Sequence, residues 1–415
     1  MKTNTTLTWD GKEEAIAMAG TPTACTMVPC RDDSVDFDTT KNLFIEGDNL
    51  DALKVLQETC LGKVKMIYID PPYNTGKKFI YADRLSSAAW CSMMLPRLML
   101  ARNMLSDDGV IFISIDNHSS ADLRKLCDEV FAAGNFIGEM ARKTRTSMNC
   151  CASGFDSRHE SLYLYAKNKV NVILKGYPKD FHCYTNPDND PRGPWVNDSF
   201  MKRVGDNIYD IVNPYTGQVD RPANHRSWLF TREKFDQCVE NGRIFFKKNH
   251  PLGQKGFIFK RYKNEIKSQY LPVGSLYFAD NAYLNAVATK EINQMFPEFK
   301  AFDYTKPVNF VSALLRFCTS PARGDIILDF FAGSATTAHA VMAQNAVDSG
   351  NRRFILVQLP EPTPEDSSAR QAGYATIADI SKERMRRAAL QIKDSHPLLT
   401  DTVDCGFKVY KLNVA

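Results

Sequence analysis

The chain has 415 residues, 44% of them hydrophobic, and a formal net charge of +4. A chain of this kind can bury a large core in one large or two medium domains, and its small charge does not by itself indicate a nucleic-acid binder. Its 11 cysteines show no Cys-x-x-Cys spacing, which argues against a zinc site and for reduced thiols in a cytoplasm. We expect a cytoplasmic protein with no bound metal, no signal peptide and no membrane-spanning run.

The pattern along the chain predicts one interrupted α/β sheet. Residues 1–40 are polar and irregular, which predicts a loosely packed extension. Short apolar strands then alternate with helical segments up to residue 167, as in a doubly wound sheet, and the alternation resumes over 301–415. Between them, residues 168–300 mix prolines, aromatics and basic residues, which predicts an inserted module.

Individual elements follow from the same pattern. The predicted elements are helix 50–61, helix 88–105 interrupted at Pro96, strand 109–116, helix 122–130, strand 163–166 and helix 381–392. The last of these carries several basic residues, for which we expect a solvated face.

The most informative motif is Asp70-Pro71-Pro72-Tyr73, which follows the apolar run 64–69. The run is typical of a buried parallel strand, and two prolines end it because neither can donate to the ladder. The acid and the tyrosine therefore lie at the carboxyl end of a strand, where open α/β sheets bind ligands. Such residues can hold a planar exocyclic amine against a methyl donor, although the tetrapeptide alone also fits an ordinary Pro-Pro turn.

A second motif lies far downstream, in residues 325–340. It predicts a strand, a tight turn of small residues and then a helix. Gly333, Ser334 and Ala335 let the backbone pass close to a ligand, and the helix start offers free N–H groups.

Together these segments resemble the S-adenosylmethionine-dependent DNA amino-methyltransferases of the permuted β group, in which the catalytic motif precedes the cofactor motif. More narrowly, the chain resembles the modification (Mod) subunits of type III restriction–modification systems. The matching segments are 43–50, 70–74, 109–116, 186–195, 305–307, 329–340 and 353–360. The resemblance implies an α/β, Rossmann-like methyltransferase fold that is circularly permuted, with a mixed, mostly parallel seven-stranded sheet and an inserted target-recognition domain. It implies an amino-terminal extension (1–40), a catalytic half (41–167), the inserted region (168–300) and a cofactor-binding half (301–415).

The resemblance also implies roles for individual residues. Asp70 and the Pro71 carbonyl would bind the amino protons of the target base, while Pro72 stiffens the loop and Tyr73 stacks on the base. Lys306 would meet the cofactor carboxylate. The residues implied to bind the cofactor are Asp48, Asn49, Lys306, Pro307, Asp329, Phe331, Ala332, Gly333, Ser334, Thr336 and Gln358. Ala335 stands where the family usually has glycine, which costs about 1 kcal/mol if that position needs a positive φ.

For DNA contact, basic and aromatic residues interleave over 243–267, as suits a β-ribbon that faces phosphates on one side. A hairpin with merely charged edges fits the same pattern. The predicted DNA-binding residues are Lys247, Lys248, Lys260, Arg261 and Lys263. We expect Trp195 and Trp228 to pack the core of the inserted module, and the region of Lys143, Arg145 and Cys150-Cys151 to form a loop over the target pocket.

These observations predict an adenine-N6 DNA methyltransferase that uses S-adenosylmethionine and flips its target base out of the duplex. Cytosine N4, an RNA base and a protein glutamine amide are alternative targets, and a catalytically idle recognition subunit for a partner nuclease is an alternative of another class. The resemblance suggests duplex DNA, a homodimer and a restriction (Res) subunit as partners.

Overall fold

The computed structural model describes residues 6–75, 85–148, 154–251, 253–302, 304–397 and 403–414. The chain divides into two compact units. The large unit comprises Met1–Gly176 and Pro272–Ala415, and the small unit comprises Tyr177–Leu271. The small unit contains fewer residues than the predicted inserted region 168–300. The residues of that region before Tyr177 and after Leu271 belong to the large unit instead.

The strands, in chain order, are β1 (Cys25–Pro29), β2 (Leu43–Glu46), β3 (Val64–Ile69), β4 (Leu105–Ile115), β5 (Phe136–Lys143), β6 (His159–Ala166), β7 (Trp195–Asn197), β8 (Met201–Lys202), β9 (Ile211–Val212), β10 (Val219–Asp220), β11 (Ser227–Trp228), β12 (Ile244–Phe246), β13 (Phe257–Tyr262), β14 (Ile326–Asp329), β15 (Arg353–Gln358) and β16 (Lys408–Val414). The helices are α1 (Lys12–Gly20), α2 (Asn49–Cys60), α3 (Ser87–Met104), α4 (Ser120–Phe131), α5 (Arg232–Glu240), α6 (Asn285–Met295), α7 (Val308–Cys318), α8 (Thr336–Asp348), α9 (Ser368–Gln371) and α10 (Ile377–Ser395). Helix α3 continues through Pro96, so the predicted interruption there is wrong.

One sheet forms the centre of the large unit. Over the described residues it has nine strands in the order β1-β16-β2-β15-β14-β3-β4-β6-β5, rather than the predicted seven. Six adjacent strands from β16 to β4 run parallel, and β1, β5 and β6 pair antiparallel at the two sides. The prediction of a mixed, mostly parallel sheet is confirmed.

Residues 6–40 contain helix α1 and strand β1, so the prediction of an irregular, loosely packed extension is wrong for this described part of it. Strand β1 pairs with β16 from Cys25 opposite Val414 to Pro29 opposite Tyr410. Helix α1 buries Ala15, and the Trp9 indole donates to Ser92 Oγ on α3 at 2.8 Å. The pairing partner of β1 lies at the other end of the chain, which is why local polarity alone indicated no strand.

Both faces of the sheet are covered, as near-continuous apolar strands require. Met66 and Tyr68 of β3 point into one buried cluster, whereas Ile67 and Ile69 point into another. Strand β14 lies between β15 and β3, with Leu328 opposite Ile67. The loops that follow β3 and β14 therefore leave neighbouring strands at the same edge.

Helix α10 buries two of the basic residues for which the sequence predicted a solvated position. Lys382 and Arg384 are buried, so the predicted solvated basic face is wrong for both. Lys382 Nζ contacts the carboxylates of Asp33, Glu46 and Asp379 at 2.9–3.1 Å, which compensates the ammonium charge.

The small unit is built around aromatic side chains. Strand β13 pairs antiparallel with β12 and β7, and α5 packs beside them. Trp228 belongs to the aromatic cluster, which confirms the prediction that it packs the core, whereas Trp195 is buried outside that cluster against Phe245. No helix in the described parts of the chain is both long and apolar enough to cross a membrane.

Candidate functional site

A cavity of about 330 Å³ lies in the large unit where the loops after β3 and β14 meet. Its volume falls in the range of small-molecule sites. The predicted residues that line it are Asp48, Asn49, Asp70, Pro72, Lys306, Asp329, Phe331, Ala332, Gly333, Ser334, Thr336 and Gln358. Pro307 does not line this cavity and instead precedes the first turn of α7 as its cap. The sheet thus brings together residues from both ends of the chain.

Asp70 stands at the edge of this cavity with its two carboxylate oxygens in different environments. Lys306 Nζ lies 2.5 Å from Oδ2. Oδ1 is buried and has no hydrogen-bond partner. A buried acceptor without a donor is costly, so this oxygen is suited to receive an N–H from a ligand. Thr305 Oγ1, which also lies at the cavity, is buried and unpartnered in the same way.

The loop that carries Asp70 is hydrogen-bonded to side chains from other elements. The Trp90 indole on α3 donates to the Pro72 carbonyl at 2.8 Å. The hydroxyl of Tyr73 donates to Glu160 Oε2 at 3.1 Å and accepts from Lys306 Nζ at 3.0 Å. Burial, followed by the carboxylates of Asp70 and Glu160, raises the pKa of Tyr73, so the phenol stays protonated and can donate.

The turn after β14 has two residues in the left-handed region. Gly333 has φ +51°, and Ala335 has φ +59° and ψ +34°. The positive φ at Ala335 confirms the condition under which alanine is strained there. Gln358 Oε1 accepts from the Gly333 N–H at 2.6 Å, and Ser381 Oγ donates to the Gly333 carbonyl. Gln358 therefore shapes the turn.

Beneath this turn lies Arg384, for which the sequence pattern predicted a solvated position rather than a role at this site. Its Nη1 donates to Ser334 Oγ at 2.6 Å and to Thr336 Oγ1 at 2.7 Å, while Nε and Nη2 are buried without a partner. The two hydroxyls predicted to bind the cofactor are thus oriented by a buried guanidinium.

Asp48 and Asn49 begin α2 beside the same cavity. Asp48 Oδ1 accepts from the Leu50 N–H at 2.8 Å, which makes it the cap of α2. Arg97 binds both residues, with Nη2 3.1 Å from Asp48 Oδ2. Asn49 Nδ2 donates to the Phe330 carbonyl at 2.7 Å, so this turn is tied to the turn after β14.

Asp329 ends β14 and is buried. Its oxygens accept from Thr337 Oγ1 at 2.5 Å and from the Phe331 N–H at 3.1 Å. Burial is the largest influence and raises the pKa of Asp329 to about 7, against the opposing effect of these two hydrogen bonds. Asp329 therefore titrates near neutral pH.

The basic residues predicted to bind DNA differ in exposure. Lys248, Arg261 and Lys263 are exposed, although Arg261 pairs with Asp198 at 3.0 Å. Lys247 donates to the Lys255 carbonyl.

Lys260 does not face solvent, so its predicted phosphate contact is not available in this structure. Its Nζ lies 2.5 Å from Asp188 and 2.6 Å from Asp190. The Tyr262 hydroxyl and Arg192 also donate to Asp190. Lys260 and Asp190 are thus the buried pair of an ionic cluster in the small unit, whose other members Asp188 and Arg192 are partly exposed.

The predicted loop over the target pocket is only partly described. Lys143 Nζ donates to Asn281 Oδ1 at 2.8 Å, and Arg145 pairs with Asp156. Cys150 and Cys151 lie outside the described residues.

Comparisons with known proteins show the family to which the chain belongs. A family model described as DNA methylase matches residues 64–365. The StyLTI Mod subunit of a type III restriction–modification enzyme from Salmonella typhimurium is 33% identical over 97% of this chain. The EcoP15I Mod subunit from Escherichia coli is 30% identical over 99% of this chain. The chain spans 65% and 71% of these two relatives. The type II methyltransferase M.KpnI from Klebsiella pneumoniae is 32% identical over 84% of this chain and 88% of its own length. Asp70 follows an apolar parallel strand, a small-residue turn lies beside it, and the family model and relatives match, so the chain belongs to the DNA methylase family.

Proposed function

We propose that this chain is a site-specific DNA methyltransferase that transfers a methyl group from S-adenosylmethionine to N6 of an adenine. The observation that carries the proposal is the buried, unpartnered Oδ1 of Asp70 at the edge of a cavity of ligand size. Family membership and the similarity to Mod subunits and to M.KpnI support it. Asp rather than Ser before Pro71 favours adenine over cytosine as the target.

The residues around the cavity fit the proposed cofactor. Carboxylates of Asp48, Asp329 and Glu361 offer acceptors for its ammonium and hydroxyl groups, and Phe331 offers an apolar face. The N-terminus of α8, with 13 residues, offers N–H groups for its carboxylate. When bound, S-adenosylmethionine supplies an electrophilic methyl group on a sulfonium.

Asp70 has the central part in the proposed chemistry. The lone pair of an exocyclic amine is delocalised into the ring, so the free amine is a poor nucleophile. If one amino N–H donates to Asp70 and the other to the Pro71 carbonyl, the lone pair would be localised on nitrogen and directed at the methyl carbon. The N–C bond would form as the C–S bond breaks, the thioether product would leave, and the amine would lose one proton to solvent. Positioning two bound reactants then supplies most of the rate enhancement. The target base has to leave the duplex first, at a cost of a few kcal/mol.

Exposed basic residues of the small unit are proposed to contact the DNA backbone. Lys248, Arg261 and Lys263 are exposed, as phosphate contact requires. We also propose assembly as a homodimer and with a restriction subunit, by analogy with the Mod relatives. Mass photometry of the chain alone and of the chain mixed with such a subunit tests both assemblies.

The proposed function is tested by incubating the chain with duplex DNA from a host that lacks modification, together with methyl-labelled cofactor. Nucleoside mass spectrometry then identifies the modified base, and we expect N6-methyladenine. Labelled N4-methylcytosine would show that the target is cytosine N4 rather than adenine N6. DNA that stays unlabelled although the chain binds the cofactor would contradict DNA methylation by this chain. RNA and protein supplied under the same conditions serve as comparison substrates.

A further inference from the structure

A buried carboxylate lies directly behind Tyr73. Glu160, on β6, is only 6% exposed. Its Oε2 accepts from the Tyr73 hydroxyl at 3.1 Å, and its Oε1 accepts from Arg142 Nε at 2.7 Å. Lys306 Nζ lies 3.7 Å from the same Oε1.

Arg142 makes this carboxylate a fixed group. Its Nη1 donates to the Tyr283 carbonyl and its Nη2 to Asn285 Oδ1, both at 2.6 Å, so the buried guanidinium is held on three sides. Burial alone raises the pKa of Glu160, but the charges of Arg142 and Lys306 outweigh burial and lower it to about 2. Glu160 is therefore ionised, and both of its oxygens are hydrogen-bonded.

Lys306 joins this carboxylate to Asp70. The ammonium lies 2.5 Å from Asp70 Oδ2, 3.0 Å from the Tyr73 hydroxyl and 3.7 Å from Glu160 Oε1. A cation that pairs with two carboxylates is compensated by both, whereas loss of either acid leaves it partly unpaired. The contacts of Lys306 thus hold Asp70 and Tyr73 at the same time.

We propose that Glu160 is a positioning residue for methyl transfer, which anchors the Tyr73 hydroxyl and the Lys306 ammonium and through them fixes Asp70 with Oδ1 left for the amine. This inference rests on the proposed function, since the amine is its substrate. Glu160 touches neither reactant and acts only through Tyr73 and Lys306. A displacement of about 1 Å in such a shell costs roughly 100-fold in rate.

A double-mutant cycle in the full chain tests the anchor. Glu160→Gln keeps an acceptor for Tyr73 and removes the charge, and Tyr73→Phe keeps the aromatic face and removes the hydroxyl. We expect each to lower kcat for duplex DNA by about 10- to 100-fold while KM for the cofactor changes less than about threefold. The double variant should be no slower than the worse single one, because both changes break one unit. If the fold-losses in kcat of the two single variants multiply in the double variant, the proposal is overturned. A wild-type kcat for Tyr73→Phe would also overturn it.

Glu139→Gln is the matched control. Glu139 lies on the adjacent strand β5, is exposed and accepts from Ser161 Oγ at 2.5 Å. We expect its kcat to stay within about twofold of the wild type.

A second readout does not need catalysis. With 3-fluorotyrosine at position 73, the fluorine resonance reports the environment of this ring. We expect Glu160→Gln to shift the resonance and Glu139→Gln to leave it in place. A resonance unmoved by Glu160→Gln would overturn the anchor even in an active chain. If the wild-type chain transfers no methyl group but the resonance shifts, the proposed function fails while the anchor stands.

Discussion

Lys306 Nζ lies 2.5 Å from Asp70 Oδ2, although 236 positions separate the two residues in the chain. The resemblance predicted that Lys306 meets the cofactor carboxylate, whereas here its ammonium compensates Asp70 and contacts Tyr73. Because β14 and β3 are neighbours in the sheet, the segments around the two motifs lie at one edge. The ion pair occupies one oxygen of Asp70 and leaves the other for a ligand.

Replacing Asp70 by alanine should abolish methyl transfer, with a loss of at least about 1,000-fold, since both the acceptor and the partner of Lys306 disappear. Cofactor affinity, measured by calorimetry, should change less than about threefold because Asp70 is proposed to contact the amine. Asp107→Ala, an exposed acid after α3, serves as control. Substantial turnover by the Asp70 variant would refute the proposed chemistry.

The pH dependence of stability should report Asp329. Its pKa is raised to about 7 in the folded chain, so folding favours the protonated form. The stabilisation that Asp329 contributes is therefore fully present below its pKa in the unfolded chain, which is near 4. This stabilisation is lost as pH rises towards 7. Urea denaturation measures the free energy of unfolding at pH 5 and at pH 8. Between these two pH values it should fall by about 2–3 kcal/mol more for the wild type than for Asp329→Asn. Equal pH profiles for the two chains would contradict the raised pKa.

Ala335 and Ala338 provide a matched pair of buried alanines. Ala338→Gly removes a methyl group inside α8 and should cost about 1–2 kcal/mol. Ala335→Gly removes a methyl group but relieves the strain of φ +59°, so it should cost about 1 kcal/mol less than Ala338→Gly. Urea midpoints, at unchanged m-values, measure the difference in unfolding free energy between the two variants. An equal loss of stability in both would show that residue 335 is unstrained. Cofactor titration of both variants tests whether alanine at 335 weakens binding.

Lys260 should matter for stability of the small unit. Lys260→Met leaves the carboxylates of Asp188 and Asp190 without their shared cation, which should destabilise the small unit by about 2 kcal/mol. The exposed Lys248→Met should change stability by less than about 0.5 kcal/mol. Chemical denaturation followed by tryptophan fluorescence compares them, and a harmless Lys260→Met would remove the structural role assigned to the cluster.

DNA affinity should depend on the exposed lysines. Paired Lys248→Glu and Lys263→Glu substitutions should reduce the slope of log affinity against log salt by about 2, as expected for two lost phosphate contacts. Lys63→Glu, placed just before β3, provides an exposed control with an unchanged slope. Fluorescence anisotropy over a salt series gives the slopes; if the paired variant retains the wild-type slope, the DNA surface lies elsewhere.

Much of the fold was predictable because its signals are local. An unbroken apolar run predicts a buried strand, and two prolines end it, so Asp70 could be assigned to the carboxyl end of β3. The turn around Gly333 was predictable for the same reason, as small residues between a strand and a helix form a recognisable pattern. The two motifs, which are far apart in the chain, then indicated the family in combination.

Only the tertiary structure decided which charged side chains are buried and what they contact. Glu160, Arg384 and Lys260 look like surface residues in the sequence, yet each is buried against partners from distant segments. Strand β1 likewise exists because β16 pairs with it. Burial of a charge requires compensating partners, and long-range packing supplies these partners. The sequence by itself therefore determined the apolar strand before Asp70 and the turn around Gly333, whereas packing determined strand β1 and the contacts around Asp70.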